Sequence, residues 1–225
     1  MQQKQIFVEQ REFQKSSLKS HTNLEINLNK KVCTYGMFYL GIALEQCTDL
    51  SILTLRLSGS QLNYIGDEGI SDLCSGLLKC VKITNLELNL EANMIGSQGL
   101  ADLSVHFSEC KKLSSLTLII SQNQINPLGT AKLGSYLSKC ANLCDLFLTF
   151  DDILSLNDDE FKTFSDQDRL QNIFCGLAKC SKVHNLKFKF DQDIERVIIE
   201  QTRILQESRK IFKMKRLVKF QFPIN

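Results

Sequence analysis

Five cysteines, Cys47, Cys80, Cys110, Cys140 and Cys180, divide the chain at steps of 33, 30, 30 and 40 residues. Each sits in the same apolar frame. Seven residues before them stand Leu40, Leu73, Leu103, Leu133 and Ile173, and three before them Leu44, Leu77, Phe107, Leu137 and Leu177. Eleven before the first four stand Gly36, Gly69, Gly99 and Gly129. Such in-phase recurrence demands a structure that itself repeats, because a period of roughly 20–50 residues is the mark of solenoids, propellers and arrays.

After each cysteine the apolar period changes from helical to two. Leu53–Leu57, Leu86–Leu90, Leu116–Ile120, Leu146–Phe150 and Leu186–Phe190 alternate as half-buried strands do, and Leu24–Leu28 and Val218–Phe222 extend the series to seven. Between strand and helix, Asn63, Asn93 and Asn123 stand just ahead of Ile-Gly or Ile-Asn. Here they read as turn residues that tolerate left-handed backbone or bond their own main chain. The recurring glycines read as a turn requirement as well. Each unit is strand, turn and then a helix of about ten residues with a Leu-x3-Leu-x2-Cys apolar face. One such unit cannot bury that face alone, so neighbours must stack into a shared core.

In these residues the chain resembles the ribonuclease-inhibitor type of leucine-rich repeat, over residues 20–225. The resemblance implies an α/β fold, a right-handed horseshoe-shaped solenoid of about seven leucine-rich repeats, with parallel strands on the concave face and helices on the convex one. Leu86–Asn93 departs from the usual core by an additional Leu-x step before the asparagine, as in variants from single-celled eukaryotes. The expected organisation is a helical cap at 1–19, regular repeats at 20–190 with an acidic insertion at 151–171, and an irregular repeat at 191–225 with a longer helix and the last strand. Ile6, Phe7, Phe13 and Leu18 are the apolar residues of the cap.

The first twenty residues lack the apolar core of a secretion signal, and no apolar run approaches the ~20 residues needed to cross a bilayer. An intracellular, soluble protein with reduced cysteines is therefore expected. The net charge of +2 gives the whole chain no electrostatic reason to seek a polyanion.

Catalytic readings find little to stand on. Zinc sites pair cysteines within one turn, whereas the phased cysteines lie one per coil and read as small thiols filling space between coils. Gly66-Asp-Glu-Gly69 and Gly96-Ser-Gln-Gly99 lack the Lys-Ser/Thr of a phosphate loop. The histidines His21, His106 and His184 fall in different units, and the phase of its helix places His106 on the exposed side. No enzyme, metal or cofactor is expected.

What remains is surface. In Leu-x-Leu-x-Leu the x residues line the concave sheet. The candidate partner-binding row is Arg56, Glu87, Asn89, Thr117, Ile119, Phe147, Thr149, Lys187, Lys189 and Lys219. Ile119 and Phe147 are large and apolar where the core does not need them, and such side chains anchor partners. Beyond them the row turns basic, which would steer a partner of mixed charge to that end. As a second basic patch, Arg209, Lys210, Lys213, Lys215 and Arg216 crowd the C-terminal region, where residues 191–225 carry eight basic and five acidic side chains.

The leading expectation is a non-catalytic protein-interaction module or a scaffold subunit of a larger assembly, gripping a protein partner by the concave face as the resemblance implies. The alternatives are an RNA or other nucleic-acid contact through the C-terminal basic cluster and, by the same resemblance, regulation of a small GTPase. No membrane or small-molecule partner is implied.

Overall fold

The computed structural model describes residues 3–149, apart from 32 and 61, and then 173, 175, 176, 179, 180, 182, 183 and 185–189. Seven strands form one parallel sheet in strictly sequential order: β1 (Gln5–Phe7), β2 (Asn23–Asn27), β3 (Ile52–Arg56), β4 (Asn85–Asn89), β5 (Ser115–Ile119), β6 (Asp145–Thr149) and β7 (Asn185–Lys189). Between them run α1 (Gln10–Lys15), α2 (Thr34–Glu45), α3 (Gly66–Leu77), α4 (Ser97–Glu109) and α5 (Pro127–Leu137). The chain is thus an α/β repeat fold, solenoid-like, in which each described strand after β1 adds one coil.

The register turns the sequence pattern into a core. Leu24, Leu53, Leu86, Leu116, Leu146 and Leu186 stand side by side across β2–β7, and Ile26, Leu55, Leu88 and Leu118 make a second row that ends at Leu148 on β6. All are buried. They meet Leu40, Leu44, Leu73, Leu77, Leu103, Phe107, Leu133 and Leu137 from the helices in one continuous cluster. The helices α2–α5 therefore lie on the leucine face, and among the described residues the opposite face of the sheet is open. Each strand starts one residue before the apolar run that marks it. Leu28, Leu57, Leu90 and Ile120, placed inside strands by pattern, lie just past them, yet each donates its N–H to the next coil and is buried.

The expected seventh strand is not among those described. Val218–Phe222 lies outside the described residues, and the count is made up at the other end by β1, parallel to β2. The N-terminal segment holds this strand as well as the short helix α1. Phe13 is fully buried there against Phe7 and His21, with ring centroids 5.4 and 5.8 Å away, while Ile6 points outward at 60% exposure.

The asparagines do something other than turn. Asn93 and Asn123 are fully buried and join coils. Asn93 Oδ1 accepts from Ile65 N (3.1 Å), and Asn93 Nδ2 donates to Leu57 O (2.7 Å). Asn123 repeats this one coil later, accepting from Asn93 N and Ile95 N and donating to Leu90 O. The left-handed backbone falls on other residues, Lys30, Ala92, Met94 and Gln122. Asn63 stands outside the ladder, exposed in a local turn with Ser60, because it follows Leu57 by six residues where Asn93 and Asn123 follow Leu90 and Ile120 by three. Those three extra residues explain the step of 33.

The recurring glycines also have a different cause. Gly69, Gly99 and Gly129 lie inside helical first turns. A Cβ there would come within 3.1 Å of Thr34 Cα, 3.2 Å of Asp67 Cα and 3.0 Å of Ser97 Cα, respectively. The requirement is close approach of one coil to the preceding one, and only Gly66 has positive φ (+66°).

Candidate functional site

The cysteine ladder lies in the core. Cys47, Cys80, Cys110, Cys140 and Cys180 are all buried. Burial holds the Cys47, Cys80, Cys110 and Cys180 thiols up at about 12 and that of Cys140 at about 11. Protonated thiols are poor nucleophiles and poor metal ligands. Two of them instead link coils, Cys80 Sγ to Leu44 O (3.2 Å) and Cys140 Sγ to Phe107 O (3.4 Å). Among the described residues no three His, Cys, Asp or Glu side chains gather where one metal ion would be held.

His106 corrects the sequence reading: it is 1% exposed, with Nε2 3.4 Å from Cys110 Sγ and Nδ1 without a hydrogen-bond partner. It stands four residues before its ladder cysteine, the place held by Gly76 and Gly176, which face the preceding helix. A lone amphipathic helix would expose that flank, but a neighbouring coil covers it. Burial pushes the imidazole down from 6.5 to about 4. The unfolded chain therefore takes up a proton at pH 6.5 that the native chain refuses until about pH 4. Stability is full above pH 6.5 and falls through that window. Relative to His106→Leu, the native chain should lose up to about 3 kcal/mol between pH 7 and pH 4, at 1.36 kcal/mol per unit. Urea unfolding at stepped pH reads it, and parallel curves for the two proteins would refute it.

The candidate surface is the open face of the sheet. Glu25, Thr54, Glu87, Thr117, Phe147 and Lys187 form one row across β2–β7, and Asn27, Arg56, Asn89, Ile119, Thr149 and Lys189 the next. The N-terminal half of this face is closed on itself. Glu25 bonds Lys4 and also Arg56 Nε (3.0 Å), and Arg56 Nη1 reaches Glu87 (3.2 Å). The Lys4 hydrogen bond first, and then Arg56, hold the Glu25 carboxyl below its ordinary range. Asn89 Oδ1 is taken by Glu91 N (3.1 Å).

The C-terminal half is different. Ile119 and Phe147 lie on neighbouring strands, both half-buried, and Phe147 is in register with Thr117 on one side and Lys187 on the other. Phe147 borders a groove of about 400 Å³ lined by Thr117, Phe147 and Lys187 above and Ser115, Asp145 and Asn185 below, and Ile119 lies one register step beyond it, opposite Thr149. Thr149, expected on the accessible row, is buried at 3% and takes a hydrogen bond from Ser121 Oγ (3.3 Å). Lys219 and the cluster Arg209, Lys210, Lys213, Lys215 and Arg216 lie outside the described residues.

Sequence reasoning missed the lower rim. Ser115, Asp145 and Asn185 precede the first leucine of each strand, so extending the period of two by one residue would have found them. It also missed an apolar stripe on the outer side of α2, where Tyr35, Phe38, Tyr39 and Ile42 are all exposed. Their i, i+3, i+4, i+7 spacing was the available signal.

No described helix is long and apolar enough to cross a membrane. No family model matches the chain, and no curated protein matches it. Among solved structures it is similar to one titled "Leiomodin-1 Actin-Binding Site 2 (ABS2)", at 12% identity and a TM-score of 0.43, over 92% of this chain and 90% of that chain.

Proposed function

We propose that this chain is a non-catalytic protein-interaction module or scaffold subunit, a right-handed solenoid of about seven ribonuclease-inhibitor-like leucine-rich repeats, that grips a protein partner on its open, concave face. One observation carries the reading: the half-buried Phe147 lines a groove on a sheet face that no described helix covers, with the half-buried Ile119 one register step away on the neighbouring strand. Apolar side chains in a desolvated centre with a polar rim are how protein interfaces gain most of their energy. The in-phase leucines and the sequential parallel sheet support the repeat type, and right-handed crossovers are nearly universal between parallel strands. The nine free cysteines favour a reducing, intracellular setting. The protonated ladder thiols and the buried neutral His106 favour structure over chemistry.

A photoreactive phenylalanine analogue at position 147 should crosslink a discrete protein in cells that naturally make this chain, while the same analogue in place of the exposed Ser135 on α5 should not. For that partner, Phe147→Ala should weaken binding by at least about tenfold, the loss of a modest hot spot. Crosslinks arising only from position 135 would place the interface on the helices and end the concave-face reading.

A further inference from the structure

Every charged side chain on the N-terminal half of the open face is spent on another: Lys4 and Arg56 on Glu25, and Arg56 again on Glu87. On the lower rim of the groove Asp145 Oδ1 accepts from Asn185 Nδ2 (3.0 Å). Lys187 breaks the pattern. It is half-buried beside Phe147 on the neighbouring strand, and no carboxylate among the described residues pairs with it. A lysine with no counter-charge among the described residues, set beside an apolar ring, is complementary to a partner that brings a carboxylate.

Resting on the concave-face reading, we infer that the groove takes a protein segment carrying a carboxylate within two residues of a large apolar side chain. The carboxylate pairs with Lys187 and the apolar group packs on Phe147. Adjacent strands lie about 4.8 Å apart, so the two contacts fit a segment crossing from β6 to β7. Asp145, held by Asn185 on the lower rim, repels a second acid there and sets which end of the segment is acidic.

The probe is a panel of synthetic twelve-residue peptides on one Ser/Thr-rich scaffold, varied at two neighbouring positions through Glu, Ser or Lys and through Phe, Leu or Ser. Affinity is read by fluorescence anisotropy against the full chain. Glu-Phe and Glu-Leu peptides should bind at least tenfold tighter than the Lys and Ser versions. Lys187→Gln should abolish that preference and Lys187→Glu should reverse it towards Lys. Lys187 is on the surface of a strand, and melting curves of both variants should overlay the parent's. Binding of no peptide, a preference for Lys peptides, or an acid preference that survives in Lys187→Glu would overturn the inference. Crosslinking at position 147 stands apart from these results. If it captures a partner while the peptides show no acid preference, the surface reading holds and only the partner's chemistry is wrong.

Discussion

Asn123→Ala is expected to destabilise the fold by about 3–5 kcal/mol, although the side chain touches no groove and no apolar contact is removed. Its Oδ1 accepts from Asn93 N (3.1 Å) and Ile95 N (2.9 Å), and its Nδ2 donates to Leu90 O, Ile120 O and Ser121 O at 2.9 to 3.0 Å. The residue is fully buried, so truncation leaves two buried N–H donors unpaired, each worth about 1–3 kcal/mol, besides the carbonyls. The loss falls on the junction between two coils. In a stacked array stability is a sum of coil terms and nearest-neighbour terms, so the damage spreads along the solenoid. For a chain of this size the shift in melting temperature should be roughly 10 °C. Asn63→Ala, at an exposed turn outside the ladder, should shift it by less than about 2 °C. Equal shifts for the two variants would mean that the ladder contributes nothing beyond an ordinary turn.

The same contrast shows what the sequence makes legible. The leucines could be read because burial repeats with the local period, so each residue's neighbours along the chain announce its side. The strand row from Glu25 to Lys187 could be read for that reason, and the structure places it on one face. Asn123 and Gly69 stand out in the sequence, but only local explanations are visible there. Their cause lies about thirty residues away, in an N–H or a Cα of the preceding coil, and no short window contains it. His106 reads as exposed for the same reason, since a helical wheel knows only its own helix and not the coil that covers its flank. Thr149 looked accessible by alternation and is buried, so alternation assigns the face without the exposure. β1 has only three residues, two of them exposed, too short a run for any alternation to register. Lys187, unpaired among the described residues, is of another kind again: its significance depends on the pairing of the other charges on the face, which only the register reveals.

Gly76→Val should cost about 4 kcal/mol, above the usual 1–3 for an overpacked site, and the reason lies in what the new side chain would strike. A Cβ at residue 76 falls 2.0 Å from Gly41 O and 2.6 Å from Gly41 Cα, so the obstacle is main chain and cannot rotate aside. From the other helix, a Cβ at Gly41 would meet Asp72 O at 2.6 Å. The helices α2 and α3 touch backbone to backbone, and restoring ordinary contact requires them to part by more than 1 Å. That opens the layer between Leu40 and Leu73, which are both fully buried, and dispersion falls off over that distance. The gain in helix propensity on replacing glycine is below about 1 kcal/mol and cannot offset this. Gly36→Ala supplies the opposite case. In α2 a Cβ at residue 36 meets only Cys33 Sγ at 3.4 Å and Gln10 Oε1 at 3.5 Å, ordinary contacts with side chains that can move. Here propensity wins, and the variant should be unchanged or more stable by up to about 1 kcal/mol. Gly36 holds the same place in the repeat as Gly69, Gly99 and Gly129. If the glycines serve coil stacking, the position should tolerate alanine in the first unit, where only the short α1 precedes α2, and resist it in Gly99 and Gly129. Urea denaturation of the four variants, Gly36→Ala, Gly99→Ala, Gly129→Ala and Gly76→Val, separates the two causes. A uniform loss across the first three would restore the turn explanation.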